Sequence, residues 1–223
     1  MYYSLILLGI IITLGAQLYV NTSYNKYKKI RNSNDLTGKE VAERILRENG
    51  LNNIKVEPTS GILSDHYDPR SKVVRLSTSI YNNSTIAAAA VAAHECGHAL
   101  QHKNKYIFLT LRNSLVPFVN FSSYAGYFAI LIGAIFSAMN FIWLGIILEC
   151  VILLFQIITL PVEFNASNRA LKEIKRLNIL DKKEIKQGKN MLTSAALTYV
   201  ASVATTLLEI LRLILMFTGR NND

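Results

Sequence analysis

Residues 113–162 read NSLVPFVNFSSYAGYFAILIGAIFSAMNFIWLGIILECVILLFQIITLPV, and Glu149 is the only Asp, Glu, Lys or Arg among them. A helix needs about 20 apolar residues to cross the hydrocarbon of a bilayer, so this stretch is too long for one crossing. It predicts a helical hairpin, with helices near 118–136 and 141–159 and a turn at Ser137, Ala138, Met139 and Asn140. The class of the protein follows from this grouping. Composition agrees, with 51% apolar residues and positive mean hydropathy, but it is the long charge-free runs that separate a membrane chain from a soluble one with a dispersed core.

Two more runs flank the hairpin. Residues 1–25 hold no Asp, Glu, Lys or Arg, and Lys26, Lys28, Lys29 and Arg31 follow at once. A cleaved signal would carry positive charge before its apolar core and small residues after it, so an uncleaved anchor is expected. Residues 191–217 are apolar apart from Glu209 and Arg212, which stand three apart and can pair on one helix face. This last helix either crosses the bilayer or lies against the others, giving three or four transmembrane helices.

Charge orients the arrangement. Residues 21–117 carry 14 of the 24 Lys and Arg, and residues 161–193 carry 8. Basic residues concentrate in loops that stay in the cytoplasm, and an amino terminus outside puts both segments on that side. The net charge of +9 therefore needs no nucleic acid to explain it, and no aromatic-interleaved basic stripe is present. Some of the basic residues can touch anionic headgroups instead. Cys96 and Cys150 lie in different segments, which argues against a disulfide.

Between the anchor and the hairpin, 37–49 reads as an amphipathic helix with Val41, Ile45 and Leu46 on its apolar face, ended by Gly50. Residues 54–57 and 72–76 read as short strands separated by a turn-rich stretch with Gly61, Asp65, Asp68 and Pro69. Asn83 or Ser84 is expected to cap an alanine-rich helix reaching about Lys103. After the hairpin, Pro161 is expected to open a helix to about Leu177, and 181–188 to begin another. The chain thus divides into an anchor (1–25), a cytosolic α+β part (26–112), the hairpin (113–160), cytosolic helices (161–190) and a terminal apolar helix (191–223).

The alanine-rich helix carries His94-Glu95-Cys96-Gly97-His98. Two histidines four apart project from one helix face, so both imidazoles can bind one zinc while Glu95 stands beside a water on the metal. A five-residue pattern can arise by chance, but here it lies late on an expected helix whose inner turns are small and apolar. Cys96 points around the helix and is read as packing.

A catalytic zinc needs a third protein ligand and an open position. The extended motif would place Gly and His three and six residues after His98, where this chain has Gln101 and Asn104. His102 shares the histidine face, but three residues over two turns span too far to converge on one ion. Between His98 and Asp181 the only acidic residues are Glu149, Glu163 and Glu173. Glu149 falls at membrane depth and Glu173 in a Lys-rich stretch read as solvated, which leaves Glu163, directly after the hairpin returns.

The turn Asp65-His66-Tyr67-Asp68-Pro69, the segment Lys72-Val73-Val74-Arg75-Leu76-Ser77, the motif with Gln101-His102, and Pro161-Val162-Glu163-Phe164-Asn165-Ala166-Ser167-Asn168-Arg169-Ala170 resemble the bacterial YugP-like neutral zinc metallopeptidases. The chain is more distantly similar to membrane peptidases of the HtpX and CAAX-processing kind. The resemblance implies one zinc held by His94, His98 and Glu163, with Glu95 as the catalytic residue, in a multi-pass protein of the bacterial cell membrane with its site on the cytosolic side. One departure stands out: the HtpX and CAAX-processing peptidases have an aspartate four residues after the glutamate ligand, where this chain has Ser167. Serine can still hydrogen-bond a ligand imidazole but brings no charge.

The expected fold is a mainly α membrane protein with a small cytosolic α+β zincin-like metallopeptidase unit. Its expected function is hydrolysis of peptide bonds in peptides or membrane proteins. His66, Arg169 and Tyr199 are candidates to stabilise an oxyanion, and 72–77 is a candidate edge strand for an extended substrate. The rivals are a membrane scaffold that keeps a zinc without proteolysis, for which Glu95 has no use, and a transport or assembly component with a chance motif, which would bind no metal.

Overall fold

The computed structural model describes residues 2–218. Its elements in chain order are α1 (Tyr2–Tyr27), α2 (Gly38–Glu48), β1 (Lys55–Thr59), β2 (His66–Asp68), β3 (Val73–Ser77), α3 (Thr78–Tyr81), α4 (Ile86–Lys103), α5 (Ile107–Phe136), α6 (Met139–Arg176) and α7 (Lys182–Thr218). Among the described residues, α1, α5, α6 and α7 are long and apolar enough to cross a membrane. The described chain falls into two compact units.

The first unit takes residues 2–17, 110–161 and 197–218. Its large apolar side chains face outward, with Phe118, Phe121 and Leu14 all more than half exposed. That is the inverse of a water-soluble domain and suits a hydrocarbon solvent. The hairpin turns at Ser137, in the left-handed region at φ 53, and Ala138, so the second helix begins two residues sooner than the sequence suggests. Its arms meet closely at Gly145, where an added Cβ would lie 2.4 Å from Ile130 and 3.1 Å from the Gly126 carbonyl oxygen. Ile142 and Ile146 of α6 cluster with Ile210, Leu213 and Phe217 of α7. Arg212 Nε donates to Glu209 at 2.9 Å, the expected pair on one helix face.

The second unit takes residues 18–109 and 162–196. Thr37 caps α2 in a reciprocal box: its hydroxyl accepts from Glu40 N, and the Glu40 carboxylate accepts from Thr37 N at 2.8 Å. Val41, Ala42, Ile45 and Leu46 are buried on the face the sequence assigns to the core. Gly50 follows the helix at φ 66, a conformation other residues adopt at a cost. The apolar core also takes in β3, the Ile80 turn, the inner face of α4, and Ala170 and Ile174 of α6.

Three expectations need correction. The sheet has three strands in the order β1-β3-β2, with β1 parallel and β2 antiparallel to β3. The strand β2 lies in the stretch read as turn because its His-Tyr-Asp sequence offers no apolar alternation. Polar bonds hold it instead, from Arg75 to Asp68 at 3.3 Å and from Ser77 N to Asp65 at 2.7 Å. Consequently Val73–Ser77 is the central strand, not the edge, and Lys72 precedes it at φ 55.

The second correction concerns the helix cap. Thr85 caps α4, its hydroxyl accepting from Ala88 N, while the carbonyl oxygens of Asn83 and Ser84 accept from Gly38 N and Asn32 N. The third concerns helix starts. Pro161 lies inside α6 rather than opening a helix. An internal proline costs about 3 kcal/mol. Val162, Ala166, Ala170 and Ile174 form a fully buried stripe one turn apart, and the two large ones alone contribute about 2 kcal/mol each. The stripe keeps the residues after Pro161 helical, and helices in an apolar surrounding tolerate an internal proline. Likewise, α7 runs unbroken through Gly188, and its start is fixed by reciprocal bonds between Asp181 and Glu184.

Candidate metal centre

The helix α4 is built for close neighbours. Ala87 to Ala90, Ala92, Ala93 and Cys96 are completely or almost completely buried, so backbones can approach where larger side chains would hold them apart. Gly97 is the extreme case: an added Cβ would lie 2.5 Å from the carbonyl oxygen of Ala166 on α6. This contact brings the segment that begins at Val162 alongside the HExxH turns. Cys96 is packing, its thiol directed at the Ala42 carbonyl at 3.6 Å and its pKa pushed up by burial.

Three side chains converge there. His94 Nε2 stands 3.3 Å from Glu163 Oε2, and His98 Nε2 stands 3.7 Å from the same oxygen. The imidazoles are edge to face, with centroids 4.8 Å apart. The donor atoms of His94, His98 and Glu163 all lie within 4.8 Å of one another, forming a cluster able to hold a metal ion. The two distances are long for hydrogen bonds, which favour 2.7–3.2 Å. They are close to the donor–donor spacing of about 3.3–3.6 Å that follows for ligands held about 2.0–2.2 Å from one zinc ion. Chemistry of the donors and spacing therefore both fit zinc.

Each imidazole is held from behind. His94 Nδ1 is 3.2 Å from Ser167 Oγ, and His98 Nδ1 is 3.0 Å from Gln101 Oε1. With the rear nitrogens engaged, both Nε2 atoms face the carboxylate. Burial lowers the pKa of His98, but Glu163, Glu95 and Gln101 reverse this and hold it above the ordinary imidazole value. The surroundings thus favour positive charge at the point where a cation would sit. Glu95 is buried on the same helix turn, and among the described residues its carboxylate takes part in no hydrogen bond or ion pair.

The remaining candidates are placed elsewhere. Glu173 is buried and bonded to Asn49 and Arg176, so the solvated position read from its Lys-rich neighbourhood is wrong. His66 on β2 contacts the Ser64 carbonyl at 2.8 Å and the Arg75 guanidinium at 3.5 Å. Arg169 donates through Nε to Asn165 at 2.7 Å and lies over the Tyr106 ring. Tyr199, on α7, belongs to the other unit. His102 is exposed, and its Nδ1 lies 2.9 Å from the Tyr67 hydroxyl.

Sequence reasoning missed Gly97, Gln101 and Asn165. Gln101 is completely buried, and its Nε2 donates to the Val162 carbonyl at 2.7 Å and to Asn165 Oδ1 at 3.1 Å. A signal existed: Gln101 lies three residues after His98, on the same helix face.

A family model described as "Putative neutral zinc metallopeptidase" matches residues 2–218. The protein named "Putative membrane protease YugP" of Bacillus subtilis (strain 168) is 45% identical over 209 residues, 93% of this chain and 93% of that one. No solved structure matches. With the match running through both ligand helices and nearly end to end, the chain belongs to this zinc metallopeptidase family.

Proposed function

We propose that the protein is a membrane-embedded, zinc-dependent endopeptidase in which His94, His98 and Glu163 hold one metal ion and Glu95 acts as the general base. The observation that carries this reading is the convergence of three donors from two helices within 4.8 Å of one another. The unengaged carboxylate of Glu95 beside them supports it. Zinc in this site would lower the pKa of a water and polarise the scissile carbonyl. Glu95 takes the proton from the attacking water and delivers it to the leaving amine. Ser167 and Gln101 keep the imidazoles aimed.

An extended substrate pairs with β2 in this reading. That strand has β3 on one side only, and Tyr67 ties it to the last turn of α4 through His102. A multi-pass arrangement is supported by the four helices long and apolar enough to cross a membrane among the described residues. A cytosolic peptidase unit is supported by the concentration of Lys and Arg in 21–117 and 161–193. Loops and unfolded segments of membrane proteins are then the substrates within reach.

The test is digestion of a casein-type substrate by the purified full chain, with and without chelator, beside Glu95→Gln. Activity abolished by chelator, restored by zinc, and lost in a Glu95→Gln variant that retains zinc is the expected result. Full proteolysis by that variant would remove Glu95 from the mechanism. Zinc bound with no proteolysis by the parent would favour a scaffold.

A further inference from the structure

The buried amide of Gln101 touches three groups of the site at once, and its orientation is dictated by its neighbours. Its Nε2 faces two oxygens, the Val162 carbonyl at 2.7 Å and Asn165 Oδ1 at 3.1 Å. A carbonyl oxygen accepts only, so the NH2 group must be on that side and Oε1 must face His98. The Asn165 oxygen is fixed in turn, because Arg169 Nε, an obligatory donor, points at it from 2.7 Å. Oε1 of Gln101 therefore accepts from His98 Nδ1, 3.0 Å away.

We infer that Arg169, Asn165 and Gln101 form a relay that sets the tautomer of His98, holding its proton on Nδ1 and its lone pair on Nε2, towards Glu163. An imidazole free to choose would spend part of its time with the proton on Nε2, where no metal can bind. Two groups fix the polarities: the Val162 carbonyl, which can only accept, and the Arg169 guanidinium, which cannot lose its protons at working pH. Arg169 also spans the Tyr106 ring, with its carbon 6.0 Å from the centroid, which restrains the stem at the outer end. The bond to the Val162 carbonyl has a second effect: it ties the residue before Glu163 to the helix that bears the histidines.

The three are positioning residues and touch no substrate. Arg169 is thereby assigned a place behind a ligand rather than at an oxyanion. Gln101 suits this task better than a carboxylate would, because Glu at 101 would turn an acceptor towards two acceptors. The inference rests on His94, His98 and Glu163 being metal ligands, and the experiment separates the two ideas.

The experiment uses the full chain, purified in detergent and stripped of metal, with zinc affinity read by chelator competition. The His98 tautomer is read from the 15N ring shifts of histidine-labelled protein at a pH high enough for the ring to be neutral. In the parent, His98 is expected as the Nδ1–H form, with tight zinc binding. Gln101→Leu is expected to weaken zinc about 10–100-fold and to populate the Nε2–H form. Should Gln101→Leu not fold, Arg169→Met removes the outer donor at a partly exposed position and is expected to shift the same two readouts in the same direction. Asn165→Asp keeps an acceptor for both neighbours and is expected to stay within about twofold of the parent, whereas Asn165→Leu is not. Parental affinity and tautomer in Gln101→Leu or Arg169→Met would overturn the relay while leaving the zinc site standing. A parent that binds no zinc overturns both.

Discussion

The two helices that build the candidate metal site do so by different means. In α4, His94 and His98 are brought together by helical periodicity alone, and any sequence that keeps the helix keeps the pair. In α6, Glu163 reaches them only through tertiary contacts across 65 residues of chain, held by the Gly97–Ala166 approach and the Gln101–Val162 bond. Half of the site is thus local and robust, and half is non-local and conditional. Substitutions in the two halves should therefore fail differently.

The largest effect should come from removing the chemistry without the scaffold. Glu95→Gln is expected to lower turnover about 10²–10⁴-fold with zinc content unchanged, measured by metal analysis beside a digestion assay. Next comes Glu163→Ala, expected to weaken zinc by more than about 100-fold, beyond what loss of an outer partner costs. The helix content by circular dichroism should stay at the parental value. Full zinc retention in that variant would mean that α6 is not part of the site.

Gly97→Ala tests the conditional half without touching a ligand. The added methyl would meet backbone rather than a flexible side chain, so α4 and α6 must separate. The expected result is about 1–3 kcal/mol of lost stability together with weaker zinc, read by thermal unfolding with and without metal. Equal loss in both conditions would confine the contact to packing. Ser167→Ala should weaken zinc about tenfold through His94, with thermal stability of the metal-free protein unchanged. The smallest effect is expected from Thr37→Ala, which removes the α2 cap for about 1 kcal/mol and should leave zinc affinity alone.

The same division explains what could be read from the sequence. The hairpin, the anchor, the amphipathic α2 and the HExxH helix all follow from periodicity or from uninterrupted apolar runs, and helices stand at each place, although the hairpin helices extend well beyond 118–136 and 141–159, to Ile107 at one end and Arg176 at the other. Glu163 was reachable because so few acidic residues lie after the motif. What escaped depends on contacts distant in sequence. The polar strand β2 has no apolar pattern and exists through Arg75, Asp68, Asp65 and Ser77. Pro161 reads as a helix start, yet the helix of the hairpin continues through it into a stripe that tertiary contacts bury. Glu173 reads as solvated beside Lys172 and Lys175, but Asn49, more than 120 residues earlier, meets it in the interior. Gln101 reads as a missing glycine of a longer motif, and its role appears only once Val162 and Asn165 are beside it.

The most direct test of the site is zinc-edge X-ray absorption on the purified full chain. Two imidazole nitrogens and carboxylate or water oxygens at about 2.0–2.2 Å, with no sulfur, are the predicted shell, and Glu163→Ala should lose an oxygen from it or bind no zinc. A sulfur at about 2.3 Å, or a parental shell that survives intact in Glu163→Ala, would contradict the assignment.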